Sequence, residues 1–591
     1  MAASVFLCRV SDSLLPAQSA GGIKLLKIIS EKRAAGGANR SALGRNADLP
    51  WVASNSDTTE KKGRIMRPSN RLAVVSVLAL CVLVGCGRRP GEESEPFEVM
   101  EQTIAQLQEA ITSGRVTCRQ IVQAYLDRIE AYDRPSGLNA ITVVNPRALE
   151  RADEIDEALR QSKTLGPLFC APLIIKDNFN THDLPTTGGS VVLKENYPPR
   201  DAFMVRKLRQ ADAIVLAKSN MAEWAFSPRQ TVSSSYGTTA NAYALDRVPA
   251  GSSGGTASAV AASFGVAGMG SDTGNSIRGP SSHLALFGIR STLGLTSREG
   301  VIPLAFDRDI AGPMARTVED AARLFNVVAG YDPNDPFTED GKGRREADYT
   351  VFLDPDGLRG ARLGVLGELV DTPDADPEIQ ELFEQALVDL KKLGAEIVSP
   401  LVIEHLQEHL EGTGMFCSRF RYDVDRYFES LGDKAPVGDV QEFYRAGQYS
   451  PYIKRNLERT LRKPWGVAPE NWDPPCLPGL SNPGRKAFLE DVLAAMEKYR
   501  LDAILYPTWT TPPAHLDKAR EEYKGDNSQL VAPATGQPAV TVPMGFSHGL
   551  LPAGLQMLGR PYGEGKLIQF AYAYEQATRH RVPPPLFPPL N

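Results

Sequence analysis

Histidine and cysteine are scarce in this sequence, with seven of each in 591 residues, and no C-x-x-C pair occurs. A zinc site built on paired cysteines is therefore not indicated. No G-x-x-x-x-G-K-[ST] sequence occurs, so a nucleotide-binding P-loop is not indicated either. Positive charge is not in excess: the net charge is −6, and an acidic chain argues against a nucleic-acid partner. We expect no metal, no cofactor and no nucleic acid.

The apolar run at residues 72–85 is too short for a typical membrane span. It follows Arg67 and Arg71 and ends directly before Cys86, an order that is typical of a secretion signal. The final Leu-Val-Gly-Cys resembles a bacterial lipoprotein signal, in which Cys86 would carry the lipid. We therefore expect an exported protein of a bacterial cell envelope, lipid-anchored to the membrane, with a short membrane anchor as the alternative.

Composition and the position of this signal predict four segments. Residues 1–65 lack clear periodicity. They are predicted to be either a mis-called extension that precedes the true translation start at Met66, or a disordered tail. Residues 66–86 form the signal segment, and residues 87–99 resemble a flexible tether. Residues 100–591 remain for one large folded domain, in agreement with a hydrophobic content of 42%.

Two serine-bearing glycine loops flank a run of small residues in the stretch 250–282. Glycine lets the first loop, 251–255, approach other atoms closely and adopt positive φ. The small residues at 256–268 suit a buried helix pressed against a sheet. The second loop, 270–276, ends on a serine preceded by backbone N–H groups with little side-chain cover, which can form an oxyanion hole. Either loop alone is also typical of a turn or a phosphate contact.

A nucleophilic serine needs a base, for which a histidine, a neutral lysine and a carboxylate are all candidates. Lys176 follows the apolar, strand-like run 171–175, so its ammonium group would emerge from the end of a buried strand. Burial disfavours the charged form and lowers the pKa of a lysine, which makes it a plausible general base. Taken alone, Lys176 is also compatible with a solvated lysine at a strand end.

Together these stretches resemble the amidase signature family of serine hydrolases. The family's central stretch reads roughly GGSSGG, then GTDTGGSIR, then GLKPT, and this chain has AGSSGG, GSDTGNSIR and LFGIRST. By position, Lys176 matches the family's base, Ser252 its bridging serine with a cis peptide bond, and Ser276 its nucleophile. The interval of 24 residues between the two serines is usual for the family.

The resemblance covers about residues 100–578 and implies a single large three-layer α/β/α domain around a mixed, mostly parallel β-sheet. It implies hydrolysis of a linear amide or a peptide amide through a serine acyl-enzyme, without metal or cofactor. The oxyanion would be held by backbone amides of the second loop, those of Thr273, Gly274, Asn275 and Ser276. Three further residues would support the site, namely Ser253, Asp272 and Arg278.

The chain departs from the family pattern at Ala250 and Asn275, which both stand where glycine is usual. Asparagine tolerates left-handed backbone angles better than most residues, so the loop is expected to keep its conformation. The side chain of Asn275 would nevertheless crowd the oxyanion hole. We expect this departure to affect substrate preference more than the chemistry.

Other motifs carry alternatives. Ser253 completes G-x-S-x-G, the nucleophile elbow of α/β-hydrolases, which would need a later aspartate and histidine. His405, Glu408 and His409 fit H-x-x-E-H, which can bind zinc on a helix, although the surrounding charges indicate a solvated helix face. A non-catalytic amide- or peptide-binding lipoprotein with a degenerate amidase cleft, and an amidotransferase-type subunit sharing the family's loops, remain alternative functions.

Overall fold

A computed structural model describes residues 97–412 and 416–590. The predicted extension at 1–65, the signal segment with Cys86 and residues 87–96 of the predicted tether lie outside the described residues. Val99, at the end of that tether, is already buried, so the packed core begins before residue 100. None of the helices in the described ranges is both long enough and apolar enough to cross a membrane.

The described residues contain thirteen strands, of which eleven form one sheet and two, β4 and β5, form a hairpin. In chain order the strands are β1 Ile141–Val144, β2 Pro172–Lys176, β3 Ile214–Ser219, β4 Val232–Ser233, β5 Gly237–Thr238, β6 Ala267–Asp272, β7 Phe287–Arg290, β8 Ile310–Ala315, β9 Arg362–Val365, β10 Glu396–Val398, β11 Ala503–Pro507, β12 Ala539–Ser547 and β13 Leu551–Gly559.

The order across the sheet is β1-β3-β2-β6-β8-β7-β12-β13-β11-β9-β10. Strands β3, β2 and β6 pair in parallel in one half, and β11, β9 and β10 do so in the other. The remaining pairs are antiparallel. The sheet is mixed, and the α/β fold that the resemblance implied is confirmed.

Helices pack around this sheet, and the first two begin with capping boxes. Thr103 with Gln106, and Thr117 with Gln120, form capping boxes that satisfy backbone N–H groups of the first turn. The fifteen helices of the described residues are α1 Ile104–Thr112, α2 Cys118–Ser136, α3 Ala148–Arg160, α4 Phe203–Gln210, α5 Gly254–Ala261, α6 Arg278–His283, α7 Val318–Val328, α8 Pro377–Lys392, α9 Leu406–Glu411, α10 Phe420–Leu431, α11 Val440–Arg445, α12 Lys454–Thr460, α13 Pro483–Lys498, α14 Ala532–Thr535 and α15 Glu564–Thr578.

Helix α5 explains the small residues of the central stretch. All eight of its residues are buried, and it packs against β2 and β6. A Cβ on Gly255 would collide with backbone atoms of Asn220, and one on Gly268 would collide with Thr256. The helix therefore lies so close to the sheet that only small side chains fit, and this contact fixes the loops on either side of it.

Two disulfides, which the cysteine spacing did not specify, cross-link the described chain. Cys118, the first residue of α2, is bonded to Cys170, two residues before β2 begins. Cys417 is bonded to Cys476 and closes off a mostly helical segment. All four cysteines of the described ranges are thus paired.

We predict that replacing both Cys118 and Cys170 with alanine lowers the free energy of unfolding by about 2 to 4 kcal/mol, because the cross-link restricts the unfolded chain across 52 residues. Chemical denaturation of protein made under oxidising conditions measures this. With reductant present the difference should shrink, because the wild-type bond is then open as well. Equal stability without reductant would contradict the bond.

Candidate active site

The parallel pairing of β2 with β6 brings a lysine and two serines together. Every residue of β2 is buried, and Lys176 is its last residue. Since the carboxyl ends of parallel strands meet at one edge of a sheet, Lys176 lies beside the end of β6. Its Nζ lies within hydrogen-bond distance of the hydroxyl oxygens of Ser252, at 2.7 Å, and Ser271, at 2.8 Å.

Lys176 is a buried lysine without a counter-ion. No described carboxylate lies within ion-pair distance of its Nζ, and burial lowers its pKa to about 7, against weak opposition from Asp272 and Asp309. Lys218, on the neighbouring strand β3, is equally buried but lies 3.2 Å from the carboxylate of Asp177. A neutral form near pH 7 is therefore indicated for Lys176, whereas Lys218 belongs to a structural ion pair.

The first glycine loop presents Ser252 to this lysine. The peptide bond between Gly251 and Ser252 is cis, as the resemblance implied. Gly251 has no room for a side chain, since a Cβ there would meet backbone oxygens of Ser227 and Gln230. The carbonyl of Ser252 accepts from the backbone N–H of Ala222 at 3.1 Å, which fixes the loop against the rest of the domain.

The second loop offers free backbone donors next to Ser276. The backbone N–H groups of Thr273, Gly274, Asn275 and Ser276 donate no hydrogen bond to any described residue. Buried N–H groups are rarely left unpaired, so this run of free donors is notable. It provides what an oxyanion hole requires.

The buried carboxylate of Asp272 fixes the conformation of this loop. Its carboxylate accepts from the backbone N–H of Ile277 at 3.2 Å and forms buried ion pairs with Arg278, at 3.1 Å, and Arg290, at 2.9 Å. Burial opposes ionisation, but the two guanidinium groups hold the pKa of Asp272 below its usual range. Arg278 also donates to the carbonyl of Gly274 at 2.6 Å. The loop is thereby braced at both ends.

Asn275 takes up a role that the sequence did not predict. Asn275 does not have a positive φ. The ability of asparagine to adopt left-handed backbone angles therefore does not explain its presence at this position. Its Nδ2 donates to Asp526 at 3.0 Å and to the carbonyl of Pro228 at 3.2 Å. Its Oδ1 accepts from the hydroxyl of Ser276 at 3.3 Å. The side chain is therefore anchored and contacts the candidate nucleophile directly.

Ser253 lies in the same loop but is not arranged as a nucleophile elbow. Its hydroxyl donates to the carbonyl of Ser271 at 3.1 Å, and no histidine of the described ranges contacts it. His283 is the buried histidine of this region, and its ring packs on that of Trp509. Ser253 accordingly lacks the histidine that an α/β-hydrolase site requires.

The H-x-x-E-H motif lies at the start of α9. His405 and His409 both point at one carboxylate oxygen of Asp491, at 3.0 and 2.8 Å, and these three side chains could hold a metal ion. The prediction of a solvated helix face holds for His405, whose side chain is 58% exposed. It does not describe His409, which is 13% exposed and stacks on Phe488.

Sequence reasoning missed several residues of the site. Ser271 contacts Lys176 and also accepts from the amide of Asn178 at 3.0 Å. Arg290 shares Asp272 with the predicted Arg278. Ser271 lies within the second glycine loop, 270–276. Because side chains alternate along a strand, a strand ending at Asp272 would have indicated that Ser271 and Asp272 face opposite sides of the sheet. Arg290 comes from β7 and stood within the quoted LFGIRST stretch, but nothing in that stretch indicated its contact with Asp272.

A cavity of about 370 Å³ opens beside Ser276. One wall is the part of the second glycine loop that carries the free backbone N–H groups, residues 273–276, called the oxyanion loop below. Another wall is formed by residues 416–420, which lead into α10, together with Asn456 and Arg459 of α12. This second wall belongs to the helical segment closed by the Cys417–Cys476 disulfide. The volume is at the lower end of the range for small-molecule sites.

Nucleophilic acyl transfer requires a base, a nucleophile and donors for an oxyanion. A buried lysine with a pKa lowered to about 7, the serines around it and the free backbone amides beside the cavity offer these parts. A sequence model of the amidase family matches residues 120–568. The fold and the family match together place the chain in one class: it belongs to the amidase family, the amidase signature enzymes. Family membership supports action on an amide C–N bond by hydrolysis or by amidotransfer.

Relatives with several different names resemble the chain. A glutamyl-tRNA(Gln) amidotransferase subunit from Carboxydothermus hydrogenoformans is 34% identical over 504 residues, which cover 83% of this chain and all of the relative. The structure of native peptide amidase from Stenotrophomonas maltophilia is 36% identical, with a TM-score of 0.72, and the match covers 83% of this chain and 99% of that one. A bacterial aryl acylamidase is 25% identical, with a TM-score of 0.68, over 81% of this chain and 96% of that one.

The depressed pKa of Lys176 predicts how stability changes with pH. Between about pH 7 and the unfolded value of 10.5, the unfolded chain binds more protons at this lysine than the folded chain, so its contribution to stability rises with pH. Relative to a Lys176→Met variant, the wild type should gain about 2 kcal/mol in unfolding free energy between pH 7.5 and 9. Urea denaturation of both proteins at both pH values measures this. An unchanged difference would mean that Lys176 is charged in the fold.

Proposed function

We propose that this protein hydrolyses a carboxylic amide, a small linear amide or peptide amide, to the acid and ammonia or an amine. Ser276 is the nucleophile, Ser252 relays its proton and Lys176 is the base. The observation that carries the proposal is the hydrogen bond between the counter-ion-free Lys176 and Ser252 at 2.7 Å. A buried amine at a pKa of about 7 is matched to proton transfer near neutral pH.

In the first half-reaction a neutral Lys176 has two N–H groups and one lone pair. Donation to the hydroxyl and the carbonyl of Ser271, at 2.8 and 3.4 Å, leaves the lone pair for the hydroxyl proton of Ser252. When the Ser276 hydroxyl turns from Asn275 towards Ser252, its proton can pass along this relay as its oxygen attacks the amide carbon. The free amides of the oxyanion loop then stabilise the negative charge on the former carbonyl oxygen.

The first half-reaction is completed when the proton returns along the same path. Collapse of the tetrahedral intermediate breaks the C–N bond, and the leaving nitrogen takes the proton that Lys176 and Ser252 held. The product amine departs and leaves an ester on Ser276. Water, deprotonated by the same relay, attacks this ester, and the hydroxyl of Ser276 recovers its proton as the acid is released. Every proton taken is returned, so no cofactor is consumed.

An amidotransferase subunit is the second candidate, because relatives of that name match the chain at 34% identity over their full length. A subunit of that kind would depend on other subunits for its complete reaction. A third candidate, a non-catalytic binding protein, is kept open by Asn275, whose side chain contacts Ser276. Both candidates differ from the proposal in what the purified chain does on its own.

We predict that purified 87–591 protein releases ammonia or amine from a panel of small amides and peptide amides, and that Ser276→Ala and Lys176→Met each lower kcat by at least about a thousandfold. Ser252→Ala should do the same, because the relay is then interrupted. A phosphonate probe should label Ser276, as mapped by mass spectrometry.

Ser253→Ala is the matched control for this experiment, since it lies next to Ser252 but outside the proposed relay. It should keep the covalent label. Labelling that is lost in Ser253→Ala and kept in Ser276→Ala would instead support the nucleophile elbow. Silence across the amide panel would favour a binding protein, and activity that appears only with added subunits would favour the amidotransferase.

We also propose that the chain is exported and lipid-anchored through Cys86, with residues 66–86 as its signal and the folded domain following the tether. The sequence order of basic, apolar and Cys-containing segments supports this. The two disulfides of the described residues add support, because disulfides persist mainly in oxidising compartments outside the cytosol.

Expression of residues 66–591, which begin at the predicted signal, in a bacterium that processes lipoproteins, with a clickable fatty acid in the medium, tests the anchor. The protein should carry the fatty acid and sediment with membranes, and Cys86→Ser should lose both properties. Cys81→Ser, within the same apolar run, is the control and should keep them. Fatty-acid labelling that survives Cys86→Ser would rule out this lipidation site.

A further inference from the structure

The charged side chains that line the cavity beside Ser276 are all positive. The described residues around it include three arginines, Arg308, Arg419 and Arg459, and neither aspartate nor glutamate. The chain as a whole has a net charge of −6, so composition alone does not account for a basic cavity. Charge of one sign concentrated in a cleft favours a ligand of the opposite sign.

The three arginines differ in how far the protein already satisfies them. Arg419 forms a two-point ion pair with the carboxylate of Asp423, at 2.7 and 2.8 Å, which balances its charge. Arg308 is partly buried, and its side chain makes neither a hydrogen bond nor an ion pair with any residue in the described ranges. Its guanidinium lies over the ring of Phe416 at 4.1 Å, and Phe416 lines the same cavity. Arg459 is exposed and likewise unpaired there.

The carboxylates that flank Arg308 in sequence have other partners. Asp307 accepts from Arg485 at 2.9 Å, and Asp309 accepts from the hydroxyl of Thr273 and from two backbone N–H groups. The contact with Thr273 ties the backbone beside Arg308 to the oxyanion loop. A guanidinium has five N–H donors, and leaving them without acceptors away from water is unfavourable. An acceptor that enters the cavity would complete this arrangement.

We propose that Arg308, assisted by Arg459, binds a carboxylate of the substrate, so that the preferred substrates are small amides that themselves carry a carboxylate. The inference rests on the proposed function and names its substrate class. A planar guanidinium binds a carboxylate at two points, with geometric selectivity that an ammonium lacks. A cavity of about 370 Å³ suits a short chain, such as the monoamide of a dicarboxylic acid.

Pairs of amides that differ only in the carboxylate test this directly. Succinamate and glutaramate are compared with butyramide and valeramide, their neutral counterparts of equal chain length. N-butyrylglycine and N-ethylbutyramide form a second pair, in which the carboxylate lies on the leaving amine. The wild type should prefer one anionic series over its neutral partner by at least about tenfold in kcat/KM. The series that shows the preference identifies the side of the amide that Arg308 faces.

Substitution of the arginine separates binding from general damage. Arg308→Met should lower kcat/KM for the preferred anionic amide by about 10- to 100-fold, mostly through KM, because the contact is present in both ground and transition states. The same variant should change the neutral amide by less than about twofold. Arg308→Lys should fall between these limits. Arg462→Met removes an exposed arginine that does not line the cavity and should leave both substrates unchanged.

Failure of this inference differs from failure of the proposed function. Equal hydrolysis of neutral and anionic amides, or an Arg308→Met loss that affects both alike, overturns the inference and leaves the amidase intact. If no amide is hydrolysed, calorimetric binding of glutarate to the wild type and to Arg308→Met still decides the matter. Binding that weakens at least about tenfold in the variant supports the carboxylate site, and absent or unchanged binding overturns it.

Discussion

The buried amine of Lys176 is the constraint on which the site depends. A lysine at the end of a fully buried strand, with no carboxylate of the described residues within ion-pair distance, is stable only if it is neutral or becomes so readily. The fold satisfies its hydrogen-bonding groups with the hydroxyls of Ser252 and Ser271. The same burial that costs stability therefore produces a base near neutral pH. Lys218, with its carboxylate partner, shows the structural alternative one strand away.

The surrounding architecture can be understood as what holds three short segments against that amine. The parallel pair β2 and β6 delivers Lys176 and Ser271, tight packing of α5 fixes the loop of Ser252, and the buried charges around Asp272 fix the loop of Ser276. Because the loop is braced through its side chains, its backbone N–H groups remain free for a ligand. The helical segment that carries the disulfide Cys417–Cys476 adds the far wall of the cavity.

Much of this could be predicted from sequence because it is encoded locally. The apolar run before Lys176 predicts a buried strand, and the glycines around Ser252 and Ser276 predict tight loops. What sequence could not supply depends on contacts between distant segments. The contact of Lys176 with Ser271 depends on strand register, the ion pair of Arg290 on sheet order, and the disulfide pairing on the whole fold. The anchoring of Asn275 by Asp526, across 251 residues, is of the same kind.

The most direct test of the central claim is the pH dependence of kcat/KM on an amide without ionisable groups. If Lys176 is the base, kcat/KM should rise about tenfold per pH unit in acid and level off above an apparent pKa near 7. Such a substrate does not ionise in this pH range, so the acid limb of the kcat/KM profile gives the pKa of a group on the free enzyme. An apparent pKa near 10, or a profile that is flat between pH 5 and 9, would contradict a neutral buried lysine as the base.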